Sequence, residues 1–230
     1  MATVLAFDVY GTLIDTHGVV AELELRLAGQ DRSDLAPEFS RCWRDKQLEY
    51  SFRRGLMGAY ADFSHCTREA LEFTDRALHT RFSETDKEHL MGVYARLPAF
   101  PEASAALERF TEAGVRCVAF SNGSHEAVEG LLVQAGIRDY FETVVSVDEI
   151  KRFKPDPAVY AHLRSRLESE PGDTWLVSSN PFDVIGARHA GLHAAWVRRI
   201  PDAPFDPWGI EPDITVADLN ALAERLISQR

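Results

Sequence analysis

An α/β fold, with a parallel-sheet core interrupted by an all-helical insertion, is predicted by three features of the sequence. Short apolar runs alternate with helical stretches along most of the chain, the pattern of strands lying side by side with helices packed against them. Gly114, Gly136 and Gly191 each follow a helical stretch, where a helix end wants a residue tolerant of positive φ. Between residues 16 and 97 the alternation stops, and long helical segments follow one another with no convincing strand.

Taken in order, residues 4–9 are the first strand. The N-terminal stretch is apolar but has no basic flank and meets Asp8 after a few residues, so it reads as a buried strand rather than a secretion signal. Helices are expected over residues 19–28, 37–56, 60–78 and 84–97. This block directly follows the first strand and is expected to lie over the carboxyl ends of the strands as a cap. Pro98 and Pro101 mark the return, so the expected division is a core domain of residues 1–15 with 97–230 and a cap domain of residues 16–96. The core then runs helix 102–113, strand 115–120, helix 125–135, strand 144–147, helix 157–167, strand 175–177, helix 181–190 and strand 194–197. An edge strand at 214–216 and a closing helix at 217–226 complete a Rossmann-like core, whose ligand crevice lies at the carboxyl ends of the strands.

Composition narrows the function classes. The chain has 230 residues, 45% hydrophobic and 27% charged, enough to bury a sizeable core. Its formal net charge of -11 would repel a nucleic-acid backbone or an anionic membrane surface, and no apolar run is long enough to span a bilayer. A small anionic substrate in a locally basic cleft is still allowed. Cys42, Cys66 and Cys117 are odd in number and lack C-x-x-C spacing, which argues against a disulfide framework or a cysteine zinc site and fits a reducing cytoplasm.

Chemistry-bearing residues fall at the ends of the predicted strands. Phe7-Asp8-Val9-Tyr10-Gly11-Thr12-Leu13 places an acid between an apolar strand and a tight turn, where a carboxylate can serve as a nucleophile. Ser121-Asn122-Gly123-Ser124 follows the second strand, Lys154-Pro155-Asp156 lies after the third, and Ser178-Ser179-Asn180-Pro181-Phe182-Asp183 follows the fourth.

Together these four stretches resemble the motifs of the haloacid dehalogenase superfamily, which lie at successive strand ends in this order, and the resemblance covers nearly the whole chain. Most of that superfamily are Mg²⁺-dependent phosphatases with a second aspartate two residues after the nucleophile and a pair of acids after the fourth strand. Here Tyr10 takes the first position, and Ser178, Ser179 and Asn180 leave only Asp183 at the second. That set is thin for a hard divalent cation, and no metal or other cofactor is expected. These departures, with Trp43-Arg44-Asp45-Lys46-Gln47-Leu48-Glu49-Tyr50 in the insertion, resemble the L-2-haloacid dehalogenase (type II) branch.

The resemblance implies that Asp8 attacks C2 of a short L-2-haloacid, displacing halide and inverting the centre, and that water then opens the ester to the 2-hydroxyacid. Lys154 would pair with Asp8; Ser121, with backbone N–H groups near Val9 and Tyr10, would hold the substrate carboxylate. Arg44, Asn122 and the edge of Phe182 would cradle the departing halide. Asp183, supported by Asn180, would orient or deprotonate the hydrolytic water. Thr12, Ser178 and Tyr160 would line the surroundings of Asp8 through their hydroxyls, and Phe63 would supply an aromatic wall from the insertion. Related enzymes commonly pair through cap helices, so the expected partners are a small 2-halocarboxylate and a second copy of the chain meeting it through the apolar residues of the 43–60 segment.

Other readings are open at this point: the same displacement on fluoroacetate or on a cyclic amine of a 2-carboxylate, a Mg²⁺-dependent phosphatase, or a carboxylate binder without turnover. The eight histidines lack the spacing of a metal site and read as structural or solvated, and the Arg53-Arg54 and Arg198-Arg199 pairs read as surface charge.

Overall fold

A computed structural model describes residues 3–228. The first two residues of the N-terminal apolar stretch lie outside the described residues. Two compact units are present: Met1–Asp15 with Ala99–Arg230, and Thr16–Pro98.

The first unit is built on a six-stranded parallel sheet. Chain order begins with β1 (Val4–Asp8), leaves for the second unit, and returns through α5 (Ala103–Glu112) after four helices described below. It continues through β2 (Arg116–Ser121), α6 (His125–Gln134), β3 (Thr143–Ser146), α7 (Pro157–Leu167), β4 (Thr174–Ser178), α8 (Pro181–His189), β5 (His193–Val197), β6 (Ile214–Val216) and α9 (Leu219–Ile227). The spatial order is β3-β2-β1-β4-β5-β6, every pairing is parallel, and β6 is an edge strand. The chain first steps from β1 to β2 to β3, then crosses back to β4. Right-handed crossovers therefore send α5 and α6 to one face and α7 and α8 to the other. The direction reverses beside β1, and the crevice of such a sheet opens at that switch point, between the carboxyl ends of β1 and β4.

Central position explains composition: all five residues of β1 are buried, as a strand covered on both faces requires. Phe7 packs edge-on and tilted against Phe141 and Phe110, with ring centroids 6.0 and 5.9 Å away. The three glycines expected after helices, Gly114, Gly136 and Gly191, have φ of 70, 71 and 85°, in the left-handed region.

The second unit contains α1 (Gly18–Ala28), α2 (Ala36–Met57), α3 (Phe63–Leu78) and α4 (Glu84–Tyr94), with no strand among its described residues. Its core is aromatic: Phe39 lies against Trp43 and Phe82, and Trp43 sits 4.7 Å from Tyr94. The Trp43 ring nitrogen donates to the Thr67 carbonyl at 2.8 Å, tying α2 to α3. Asp62 caps α3 through His65 N–H, and Ser83 with Asp86 forms a reciprocal capping box on α4. Among the described residues no helix is long and apolar enough to cross a membrane.

Candidate active site

At the end of β1 the chain turns sharply. The Val9 carbonyl accepts the N–H groups of Leu13 and Ile14, both at 3.0 Å, and Gly11 N–H returns to the Ile14 carbonyl at 2.8 Å. Gly11 has φ of 83°, in the left-handed region, so the backbone favours glycine there. The turn brings Thr12 back over the carboxylate that ends the strand.

Asp8 is 7% exposed and fully engaged. Thr12 Oγ1 donates to Asp8 Oδ2 at 2.9 Å, and Asn180 Nδ2 donates to the same oxygen at 2.7 Å. Lys154 Nζ donates to Asp8 Oδ1 at 3.1 Å, to Asp183 Oδ2 at 2.7 Å and to the Phe120 carbonyl at 2.9 Å, so its three protons are all placed. The ammonium also lies 4.2 Å from the centroid of the Phe120 ring. On the far side, Tyr160 donates its hydroxyl to Asp183 Oδ1 at 2.8 Å. Asp8, Asp183 and Phe120 thus converge on one buried ammonium.

One cation serves two carboxylates, and the electrostatics follow from that ratio. For Lys154, burial would lower the pKa, but the charges of Asp183 and Asp8 outweigh it and hold the ammonium above the ordinary lysine value. Burial raises the pKa of Asp183, against the pull of Lys154 and with the repulsion of Asp8 added. Burial followed by the Asp183 charge pushes Tyr160 well above the usual phenol value, keeping it a proton donor.

Several expected site residues take other positions. Asn180 meets both acids: its side-chain amide donates to Oδ2 of Asp8, and its backbone carbonyl accepts Asp183 N–H at 3.1 Å in the first turn of α8. Of the three hydroxyls expected around Asp8, Thr12 is the one that donates to it. Ser178 Oγ accepts Asn180 N–H at 3.1 Å and shapes the turn after β4, whereas Tyr160 is spent on Asp183. Asp183 has no exposed surface, and each of its oxygens already accepts a bond, so it is placed to aim Lys154 rather than to meet solvent.

Ser121 ends β2 beside this group, and Asn122 follows it. Ser121 Oγ accepts Gly123 N–H at 3.1 Å, and Asn122 Oδ1 accepts Lys154 N–H at 3.0 Å, which turns the Asn122 amide nitrogen away from the lysine backbone. Phe182 is half-buried in the first turn of α8. Arg44 and Phe63 belong to the helical unit and are joined there by a relay. Arg44 Nη1 donates to Gln47 Oε1 at 2.7 Å, Gln47 Nε2 to Thr67 Oγ1 at 2.6 Å, and Thr67 Oγ1 to the Phe63 carbonyl at 2.8 Å.

Two residues that sequence reading set aside or passed over hold the nucleophile turn. Ser179 N–H donates to Thr12 Oγ1 at 2.8 Å, and Ser179 Oγ to the Gly11 carbonyl at 2.8 Å. Arg199, read as surface charge, instead donates to the Thr12 carbonyl at 2.5 Å. Neither contact has a spacing in sequence that would reveal it, because each joins side chain to backbone across more than 160 residues.

A magnesium ion does not suit this arrangement. Its carboxylates, Asp8 and Asp183, are bridged by an ammonium, an amide stands at 180, and no group of three or more acidic, His or Cys side chains among the described residues is arranged to hold a metal ion.

A family model described as haloacid dehalogenase-like hydrolase matches residues 2–191. The (S)-2-haloacid dehalogenase H-109 of Pseudomonas putida is 39% identical over 224 residues, 97% of each chain. The (S)-2-haloacid dehalogenase of Pseudomonas sp. (strain YL) is 36% identical over 220 residues, 96% of this chain and 92% of the relative. The solved structure of L-2-haloacid dehalogenase from Xanthobacter autotrophicus, with chloropropionic acid covalently bound, superposes with a TM-score of 0.88 at 33% identity, covering 99% of both chains.

Proposed function

Because the chain belongs to the haloacid dehalogenase-like hydrolases, we propose that it converts short L-2-haloalkanoic acids to 2-hydroxyacids and halide through an ester on Asp8, without a metal. The observation that carries this reading is the Asp8 carboxylate held between Lys154, Thr12 and Asn180 at the carboxyl end of β1. Donors fixed by the fold need no rearrangement during reaction.

In the first step an Asp8 oxygen forms a bond to C2 as the carbon–halogen bond breaks, and the halide leaves with the electron pair. Charge builds on halogen only as that bond lengthens, so donors aimed there act on the transition state. By resemblance to the family, Arg44, Asn122 and the edge of Phe182 are assigned this role, and Phe63 that of an aromatic wall to the substrate. Ser121 and the backbone N–H groups near Val9 and Tyr10 hold the substrate carboxylate. In the second step water attacks the ester carbonyl, the bond between Asp8 Cγ and the ester oxygen breaks while C2–O stays intact, the Asp8 carboxylate is regenerated, and the 2-hydroxyacid departs with an oxygen that began on Asp8. A proton is released with the product. Asp183 orients Lys154 across both steps, and Ser178 and Tyr160 support this frame from one bond further out.

Single turnover in ¹⁸O-labelled water with 2-chloropropionate, followed by mass analysis of the peptide containing Asp8, tests the route. Label in that peptide is expected; label confined to the product would overturn it. The phosphatase reading lacks its second aspartate, because Tyr10 stands there.

Two coarser proposals complete the reading. The chain works in the cytoplasm, in keeping with three unpaired cysteines. It forms a homodimer through the helical unit, although Trp43, expected at that interface, is fully buried and cannot contribute its side chain. Leu56 and Met57, 90% and 77% exposed, take its place.

A further inference from the structure

The turn after Asp8 leaves a row of backbone carbonyls, and each buried carbonyl needs a donor. Gly11 receives the Ser179 hydroxyl, and Leu13 receives Phe100 N–H at 2.9 Å. Thr12, whose hydroxyl touches Asp8, receives Arg199 Nη2 at 2.5 Å. Arg199 is itself held on two sides: its other terminal nitrogen pairs with Glu102, and its guanidinium carbon lies 3.7 Å from the centroid of the Phe100 ring. Only 11% of its side chain is exposed. Phe100 therefore grips the turn twice, directly through Leu13 and through the arginine stacked on its ring.

Thr12 Oγ1 already accepts Ser179 N–H, so its single proton is left for Asp8 Oδ2 at 2.9 Å or Ser179 Oγ at 3.2 Å. The charged acceptor wins when the turn is held in place. A turn free to rock by a few tenths of an ångström would reverse the order of those two distances. We propose that Arg199, clamped by Glu102 and Phe100, is a positioning residue for the reaction: it pins the Thr12 carbonyl and thereby keeps the Thr12 hydroxyl on Asp8. Lysine would not substitute, since only a planar guanidinium reaches the Thr12 carbonyl and Glu102 from two separate nitrogens while its face stacks on the Phe100 ring.

This inference rests on the dehalogenase reading, and a double-mutant cycle separates the two. Chloride release from 2-chloropropionate is measured for the unaltered chain, Arg199→Met, Thr12→Val and the double variant. Misaligning the turn is expected to lower kcat for Arg199→Met by about 10- to 100-fold with KM nearly unchanged. In the Thr12→Val background the same substitution is expected to cost less than about twofold, because the hydroxyl it serves is gone. Equal losses in both backgrounds would overturn the proposal, as would a fall in thermal stability with no change in kcat. Absence of chloride release from the unaltered chain would instead sink the dehalogenase reading. A crystal structure of Arg199→Met decides the positioning claim without turnover: Thr12 Oγ1 beyond hydrogen-bond range of Asp8 supports it, and an unmoved hydroxyl refutes it. If Arg199→Met does not fold, Glu102→Gln and Phe100→Leu loosen the same guanidinium and enter the same cycle and the same structural comparison.

Discussion

At the scale of single residues, the Lys154 ammonium governs the site. It is 2% exposed and bridges two carboxylates, so truncating it leaves Asp8 and Asp183 facing each other in a dry interior. Removing one partner of a buried pair costs about 3–5 kcal/mol, because the remaining charge is uncompensated. Lys154→Met is therefore expected to lose halide release and to unfold at lower urea, by about that amount at pH 7. The pH window follows from the raised lysine pKa. A native value above 10.5 means the stabilisation is complete below pH 10.5 and disappears only as pH climbs through the higher native value. Urea titrations of both chains at pH 7 and pH 10 should give the same difference in stability. A gap that closes between those pH values would show that the ammonium is not held charged as the Asp183 and Asp8 contacts require.

At the scale of elements, α7 and α8 approach through a missing side chain. A methyl group on Gly186 would overlap the Tyr160 hydroxyl and come within 2.7 Å of Pro155 Cβ and 2.9 Å of Tyr160 Cε2. The glycine is what lets Tyr160 lie under α8 and reach Asp183. Gly186→Ala is expected to cost about 1–3 kcal/mol by overpacking and to lower kcat as Tyr160 withdraws. Thermal unfolding with steady-state kinetics checks both, and Tyr160→Phe in the same chain should restore part of the lost stability by removing the overlapping oxygen. An alanine variant as stable as the parent would refute this account. Glycine at this position carries no sign in the sequence, unlike Gly114, Gly136 and Gly191, because the constraint comes from a helix packed against it and not from its own backbone. The same distinction separates what was legible from what was not. Alternating apolar runs and helix-ending glycines marked the strands and α-helices of the described residues to within a few residues. Asp8, Lys154 and Asn180 could be placed at strand ends. Ends drifted where local hydrogen bonds decide: β1 stops at Asp8 because Val9 turns its carbonyl into the following loop, and α3 starts at Phe63 because Asp62 caps it. Arg199 and Ser179 escaped notice because a bond to a backbone carbonyl can be made by many side chains from many positions.

At the scale of the whole molecule, charge and exposed apolar surface pull in opposite directions. Each chain carries a formal charge of -11, so two chains repel at long range. Yet Leu56 and Met57 stand in water at the end of α2, beside a groove of about 590 Å³ bounded by Tyr50, Arg53, Met57, Phe73 and Arg76. Covering apolar surface yields roughly 25 cal/mol per Å², and a stable pair buries on the order of 1,600 Å² in total. A two-fold axis would set this patch against its own copy, so one substitution is felt twice. The proposed dimer should therefore tighten as salt screens the repulsion, the reverse of an interface held by ion pairs. Sedimentation equilibrium is expected to report twice the 25.8 kDa chain mass, with association strengthened between low and physiological salt. Leu56→Glu combined with Met57→Glu adds two negative charges per chain at the contact and should return the single-chain mass. If the unaltered protein sediments as one chain at tens of micromolar in physiological salt, the exposed apolar pair has some other explanation and the dimer must be abandoned.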